Sequence, residues 1–169
     1  MTTMRALAAG AAVMLALLLQ VSLLPNLAWQ GVVPNLALLV VVGAALTQGP
    51  QFAMVLGFAA GALVDLAPPA DHTAGRWALA LTVVGYVAGR VRSEADPSAT
   101  TVVGTVAASS FVGTSIFAIT GLVLGELSVG VGQLLLVIGV ALVWDVVLTP
   151  FELPPLMALF RRLEPSRAA

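Results

Sequence analysis

Between Ala6 and Leu24 the chain meets one strongly polar side chain, Gln20, and apolar stretches of similar character recur as far as Phe151. The charged residues fall almost entirely in the gaps between these stretches. A soluble domain devotes about 25% of its residues to charge to keep its surface hydrated; here charged residues make up 9% of 169. The solvent that suits such a chain is lipid. A crossing needs about 20 apolar residues, so this length accommodates five or six helices with short loops and no separate soluble domain. The expected fold is therefore all-α: a polytopic integral membrane protein with six transmembrane helices in a single domain over 1–169.

Glycine, proline and polar clusters break helices, and they divide the chain at consistent places. The predicted helices cover 6–24, 34–47, 52–66, 77–91, 100–124 and 131–151. Pro34 suits a first helical turn, where its missing N–H removes no bond, and polar Asn35 follows it. Gln48-Gly49-Pro50-Gln51 is a turn; Ala67–Arg76, with Pro68, Pro69, Asp71, His72 and Gly75, is a polar loop. Arg92–Ser98 is the most hydrophilic stretch, and Gly125–Ser128 turns the chain again. Pro150, Pro154 and Pro155 are expected to bend or interrupt the last helix, leaving a short amphipathic basic end over 156–163. The apolar run after Arg5 exceeds the roughly 7–15 residues of a secretory signal, which predicts a retained first helix. Segments 34–47, 52–66 and 77–91 are short for a full crossing; mismatch of this kind costs little, and a re-entrant segment is the alternative.

Arginine placement predicts an orientation. The seven basic residues are all Arg. With six crossings, Arg5, Arg90, Arg92, Arg161, Arg162 and Arg167 share one side and only Arg76 lies opposite. The positive-inside rule then puts both termini in the cytoplasm. A five-helix arrangement would separate the basic termini.

Three Gly-x-x-x-Gly pairs lie in apolar helices: Gly57 and Gly61, Gly85 and Gly89, Gly121 and Gly125. Such pairs leave a groove that lets a neighbouring backbone approach, either within the protein or on a partner helix. Asp65 continues the Gly57–Gly61 face at helical spacing. A carboxylate inside a bilayer is costly, so Asp65 is expected near the outer interface, capped by polar loop groups, or functional, with Arg76 on the same side as its partner in an ion pair. Asp145, read as lying near the inner end of the last helix, and Glu152 are expected to reach Arg90 or Arg92. On that placement Asp65 and Asp145 differ in depth by about 10 Å or more, which separates them as a proton-sharing pair. Glu126 is expected to be solvated.

Catalytic and cofactor chemistry finds little material. There is no cysteine and one histidine, His72; a zinc site usually takes three or four protein ligands. Ser109 and Ser110 have no basic partner nearby and read as helix-packing groups. No phosphate-binding glycine loop is present, and a net charge of −1 attracts no nucleic acid. No catalytic residue, metal site or cofactor is expected.

Several features in order resemble one family. Pro34-Asn35-Leu36 opens the second helix; Gly57-Phe58-Ala59-Ala60-Gly61-Ala62-Leu63-Val64-Asp65-Leu66 closes the third; Val84-Gly85-Tyr86-Val87-Ala88-Gly89-Arg90 closes the fourth; and Thr149-Pro150-Phe151 leads to Arg161-Arg162. With the length and the hydropathy pattern, this resembles the MreD family of bacterial rod shape-determining proteins. The resemblance implies a multi-pass inner-membrane scaffold without catalysis, working in the cell-elongation complex with MreC, RodA, a class B penicillin-binding transpeptidase and the MreB filament, and with membrane lipids around it. It also implies a fold similar to the substrate-binding S-components of energy-coupling-factor transporters. A small-molecule-binding transporter subunit is therefore the rival expectation, and an intramembrane enzyme the third.

Overall fold

The stretch from Leu36 to Thr47 is apolar on every side, and a helix with no polar face belongs inside a bundle. The computed structural model describes residues 2–68, 72–93, 96–126 and 130–163. Pro69, Asp71, Ser128 and Arg167, named above, lie outside them. Among the described residues there are six α-helices: α1 (Thr2–Ser22), α2 (Leu36–Gln48), α3 (Pro50–Leu66), α4 (Arg76–Arg90), α5 (Ala99–Val123) and α6 (Val131–Arg162). Every residue of α2 from Leu36 to Thr47 is buried, and α2 packs against each of the other helices. Helices α1, α5 and α6 are long and apolar enough to cross a membrane; α2 and α3 are apolar but shorter.

Connections follow local chemistry. A 3-10 turn at Leu24–Leu27 precedes a tight reversal in which Trp29 and Val32 exchange backbone hydrogen bonds of 3.1 and 2.9 Å. Gly49 at φ +89° closes α2 and also opens α3, with Pro50 in the first turn. A left-handed φ of that kind favours glycine, so the corner is made by one residue. Helix α5 begins on Ser98, whose hydroxyl accepts the Thr101 N–H at 3.1 Å, a standard cap.

The α3–α4 contact is made by glycine. A Cβ on Gly57 would lie 2.2 Å from the Leu81 carbonyl oxygen, and one on Gly61 2.3 Å from that of Trp77. From the opposite side, a Cβ on Gly85 would lie 2.4 Å from the Ala53 oxygen and one on Gly89 2.4 Å from the Pro50 Cα. The two pairs therefore face each other across antiparallel helices, with backbone against backbone. Gly121 and Gly125 differ. Gly125, at φ +73°, lies just past the end of α5, where its N–H reaches the Leu122 carbonyl at 3.1 Å and the Glu126 N–H reaches that of Gly121 at 3.0 Å. This is a helix-terminating motif, so the third pair is half turn: Gly121 is buried in α5, while a Cβ on Gly125 would meet nothing within 4 Å.

Helix α6 departs most from expectation. It runs unbroken through Pro150, Pro154 and Pro155 to Arg162, so the segment 156–163 forms its last turns. Proline removes one backbone bond, but inside an apolar bundle no water competes for the remaining ones, and helices there tolerate it. One consequence is positional: Asp145 lies near the middle of α6.

One end of the bundle gathers the basic residues. The Arg5 guanidinium stands 5.2 Å from the Phe52 ring centre, Phe52 meets Phe160 edge-on, and Gln48 donates to the Phe160 carbonyl at 2.8 Å. Arg92 lies beside Gly49, and Arg161 bonds Asp96 at 2.8 Å. Arg90, exposed, leans on Tyr86 of the same helix.

Overpacking a close contact costs about 1–3 kcal/mol. Gly57→Ala and Gly85→Ala should each lower the thermal midpoint in mild detergent by about 2–12 °C. Gly104→Ala, where a Cβ meets nothing within 4 Å, should leave it unchanged. Equal midpoints for all three would show that the glycine contact is slack.

Candidate functional site

Each helix begins with N–H groups that have no partner inside the helix. In water they are hydrated; inside an apolar bundle another residue must supply an acceptor. Helix α4 begins at Gly75, which has no side chain with which to cap. Asp65, from the end of α3, does it instead: its Oδ2 accepts the N–H of Gly75 at 2.8 Å and of Ala78 at 3.1 Å, and its Oδ1 that of Trp77 at 3.0 Å. His72 Nε2 adds a contact at 3.1 Å. The carboxylate, 2% exposed, thus lies at the positive end of the helix dipole, where negative charge is stabilised. Along the Gly57–Gly61–Asp65 face the glycines bring α4 close and the carboxylate seats its first turn.

The second buried carboxylate repeats the logic at α2. Asp145, 1% exposed, accepts the backbone N–H of Asn35 at 3.0 Å and the hydroxyl of Ser110 at 2.6 Å. Asn35 in turn caps the Leu38 N–H through its side chain at 3.0 Å, and Gln20 of α1 reaches the Ala37 N–H at 3.4 Å. Groups from α1, α5 and α6 therefore converge on the start of α2, directly after buried Pro34. Several polar atoms here lack a partner: Asn35 Nδ2, Ser109 Oγ, Trp144 Nε1 and Glu152 Oε2.

Neither carboxylate pairs with the arginine expected of it, whereas the loop groups Gly75 and His72 do meet Asp65. Asp65 takes backbone N–H groups, because the first turn of α4 lies closer than the Arg76 head. Asp145 takes Asn35 and Ser110, since its place near the middle of α6 keeps it away from Arg90 and Arg92. Their depths also differ from the expectation. Asn35 opens α2, Asp65 closes α3, and the helices meet at Gly49. At about 1.5 Å per residue both sites stand roughly 20–25 Å from that corner. The expected difference in depth follows only if the last helix ends at 151, and it does not.

Arg76, also buried, turns to the end of α5. Its Nη1 lies 2.6 Å from Glu126 Oε2, its Nη2 donates to the Phe117 carbonyl at 2.6 Å, and its guanidinium sits 3.8 Å over the Phe117 ring. Trp77 stacks on the same ring at 4.5 Å and His72 meets it edge-on at 5.1 Å. Glu126 also accepts the N–H and the hydroxyl of Thr73, so it straps the α3–α4 loop to α5 instead of facing water alone. The Thr73 hydroxyl, ahead of Arg76, holds the Glu126 carboxyl below its ordinary range.

Sequence reasoning reads Ser110 as a helix-packing group, which its bond to Asp145 makes it, but does not single out Gln20, Phe117 or Thr73. Only Gln20 leaves a signal, as the lone strongly polar residue of its run. The arrangement is one of positioning: the carboxylates accept from backbone and hydroxyl groups, and no His or Lys approaches Ser110 to activate it. Among the described residues no group of three or more His, Asp or Glu side chains could hold a metal ion; Asp71, the possible companion of His72, lies outside them. No protein-family model, curated protein or solved structure matches this chain.

Leaving buried donors unpaired costs about 1–3 kcal/mol. Asp65→Ala and Asp145→Ala should each lose that much stability in detergent unfolding, and the Asn variants less; unchanged unfolding in both Ala variants would refute the capping role. Glu126 has a depressed carboxyl, so its contribution is full above its ordinary value of 4.5 and is lost as pH falls through the folded value. With Trp29 and Trp144 replaced by Phe, Trp77 emission should change below pH 4.5, and Glu126→Gln should abolish that acid transition.

Proposed function

We propose that this chain is a six-span, non-catalytic scaffold of the bacterial inner membrane, an MreD-like member of the cell-elongation complex that holds MreC and its associates through its helix faces. The observation that carries this reading is the direction of the polar groups. Asp65, Asp145, Asn35, Ser110 and Arg76 are turned inward to seat helices, while the exposed positions of α1, α5 and α6 are residues such as Leu7, Leu18, Phe111, Ile119 and Val147. A protein of this kind offers partners its helix surfaces. In this reading α2, α3 and α4 also cross, in an S-component-like arrangement, with the start of α2 sunk into protein where non-helical backbone is tolerated. The arginine-rich end faces the cytoplasm, and with it both termini.

A second reading, a small-molecule-binding transporter subunit, is favoured by the convergence of Asn35, Ser109, Ser110 and Asp145 deep in the bundle, since substrate sites of transporters gather polar groups near midplane.

Purification in mild detergent from a host with an elongation complex separates them. The scaffold reading expects MreC and associates to co-purify; isolation without any of them, together with a retained metabolite, would favour the transporter reading. In spheroplasts, an impermeant maleimide should label Ala74→Cys directly and Ser93→Cys only after lysis. The reverse pattern would overturn the orientation.

A further inference from the structure

Pro150 and Pro154 stand on one side of α6, opposite the first turns of α5, and there they wall an apolar cavity of about 770 Å³ with Val102, Val103 and Met157. The two prolines are exposed and Val103 is 39% exposed, so the cavity is a groove open at the side of the bundle. Its wall is unusual in one respect. A proline has no N–H, so the carbonyls of Val146 and Pro150, four residues earlier, receive no helix bond from these positions. A helical carbonyl points toward the residue four places on, which puts both oxygens beside the proline rings on the groove side. In an apolar layer no water reaches them. An acyl chain would fit the volume but has no donor to offer.

The groove mouth is at the arginine-rich end, where Arg161 bonds Asp96 and the Asp96 side chain is still 80% exposed. Membrane helices carry Lys or Arg at their cytoplasmic flank, and Asp96 complements such a residue. We propose that this groove receives a transmembrane helix of another protein, one presenting a hydroxyl or amide side chain to the Val146 and Pro150 carbonyls and a basic flank to Asp96. Side-chain donors of this type join helices in membranes. The inference rests on the scaffold reading and assigns it a face.

The test places a photo-crosslinking residue at Val103 or Ala158 in the full chain in its host, with Leu135 on the far half of α6 as the reference position, and sequences the adducts. The expected adduct from both groove positions is an apolar segment of another protein that contains Ser, Thr, Asn, Gln or Tyr and has a basic flank, absent from Leu135. Removing that donor in the partner should lower the yield. So should Pro150→Ala combined with Pro154→Ala, which returns the N–H groups, by about fivefold. Val103→Trp, which fills the groove without touching the prolines, should do the same and covers the case of a misfolded double variant. Lipid adducts alone at the groove, or a yield unmoved by all three changes, would overturn the proposal. Co-purifying partners that crosslink only from another face would overturn it while leaving the scaffold reading intact; absence of any partner would end both.

Discussion

A backbone N–H at the start of a helix has nowhere to turn inside an apolar bundle, and two carboxylates resolve that problem here. Asp65 serves α4, which begins on a glycine, and Asp145 serves the approach to α2 through Asn35. Everything else depends on this exchange. A carboxylate in such surroundings is costly alone, and so are unpaired N–H groups; brought together, each removes the other's cost. Neither group can move without exposing both penalties, so α2 and α4 are held in position by residues on different helices.

The glycine contact between α3 and α4 belongs to the same device. With no Cβ at Gly57, Gly61, Gly85 and Gly89, the two backbones come close enough for Asp65 to reach the first turn of α4. Three of the helices are long and apolar enough to cross a membrane, and between helices in lipid it is close packing and hydrogen bonds that hold. At the far edge of the contact, Phe117 collects His72, Arg76 and Trp77, and Glu126 ties the loop to α5. Asp65, Asp145, Arg76 and Glu126 are thereby engaged in assembly, while Asn35 Nδ2, Ser109 Oγ, Trp144 Nε1 and Glu152 Oε2 are buried without a partner.

Proline gives α6 a second character. It remains a helix through three prolines, each of which withholds the N–H that a helix would give to the carbonyl four residues earlier. The inner stripe of α6, with Asp145 and Thr149, builds the core, while Pro150 and Pro154 are exposed on its outer side.

Much of this is legible along the chain. Apolar runs and their breakers locate six helices to within a few residues at most ends, because periodicity and Gly/Pro punctuation act locally. The shared face of Gly57, Gly61 and Asp65 is likewise local, set by helical spacing. Pairing is not legible. Proximity in sequence matches Arg76 with Asp65, whereas Glu126, some fifty residues later, holds it; Gly121 and Gly125 have the spacing of a groove, yet the second ends a helix. The depth of Asp145 depends on whether α6 survives its prolines, which depends on what surrounds them. Sequence by itself determined the helices and their apolar faces, because these follow from side-chain polarity at fixed spacing. Only the tertiary structure decided which helix start each carboxylate caps, because a carboxylate accepts from whichever N–H groups the packing of distant helices brings within 3 Å.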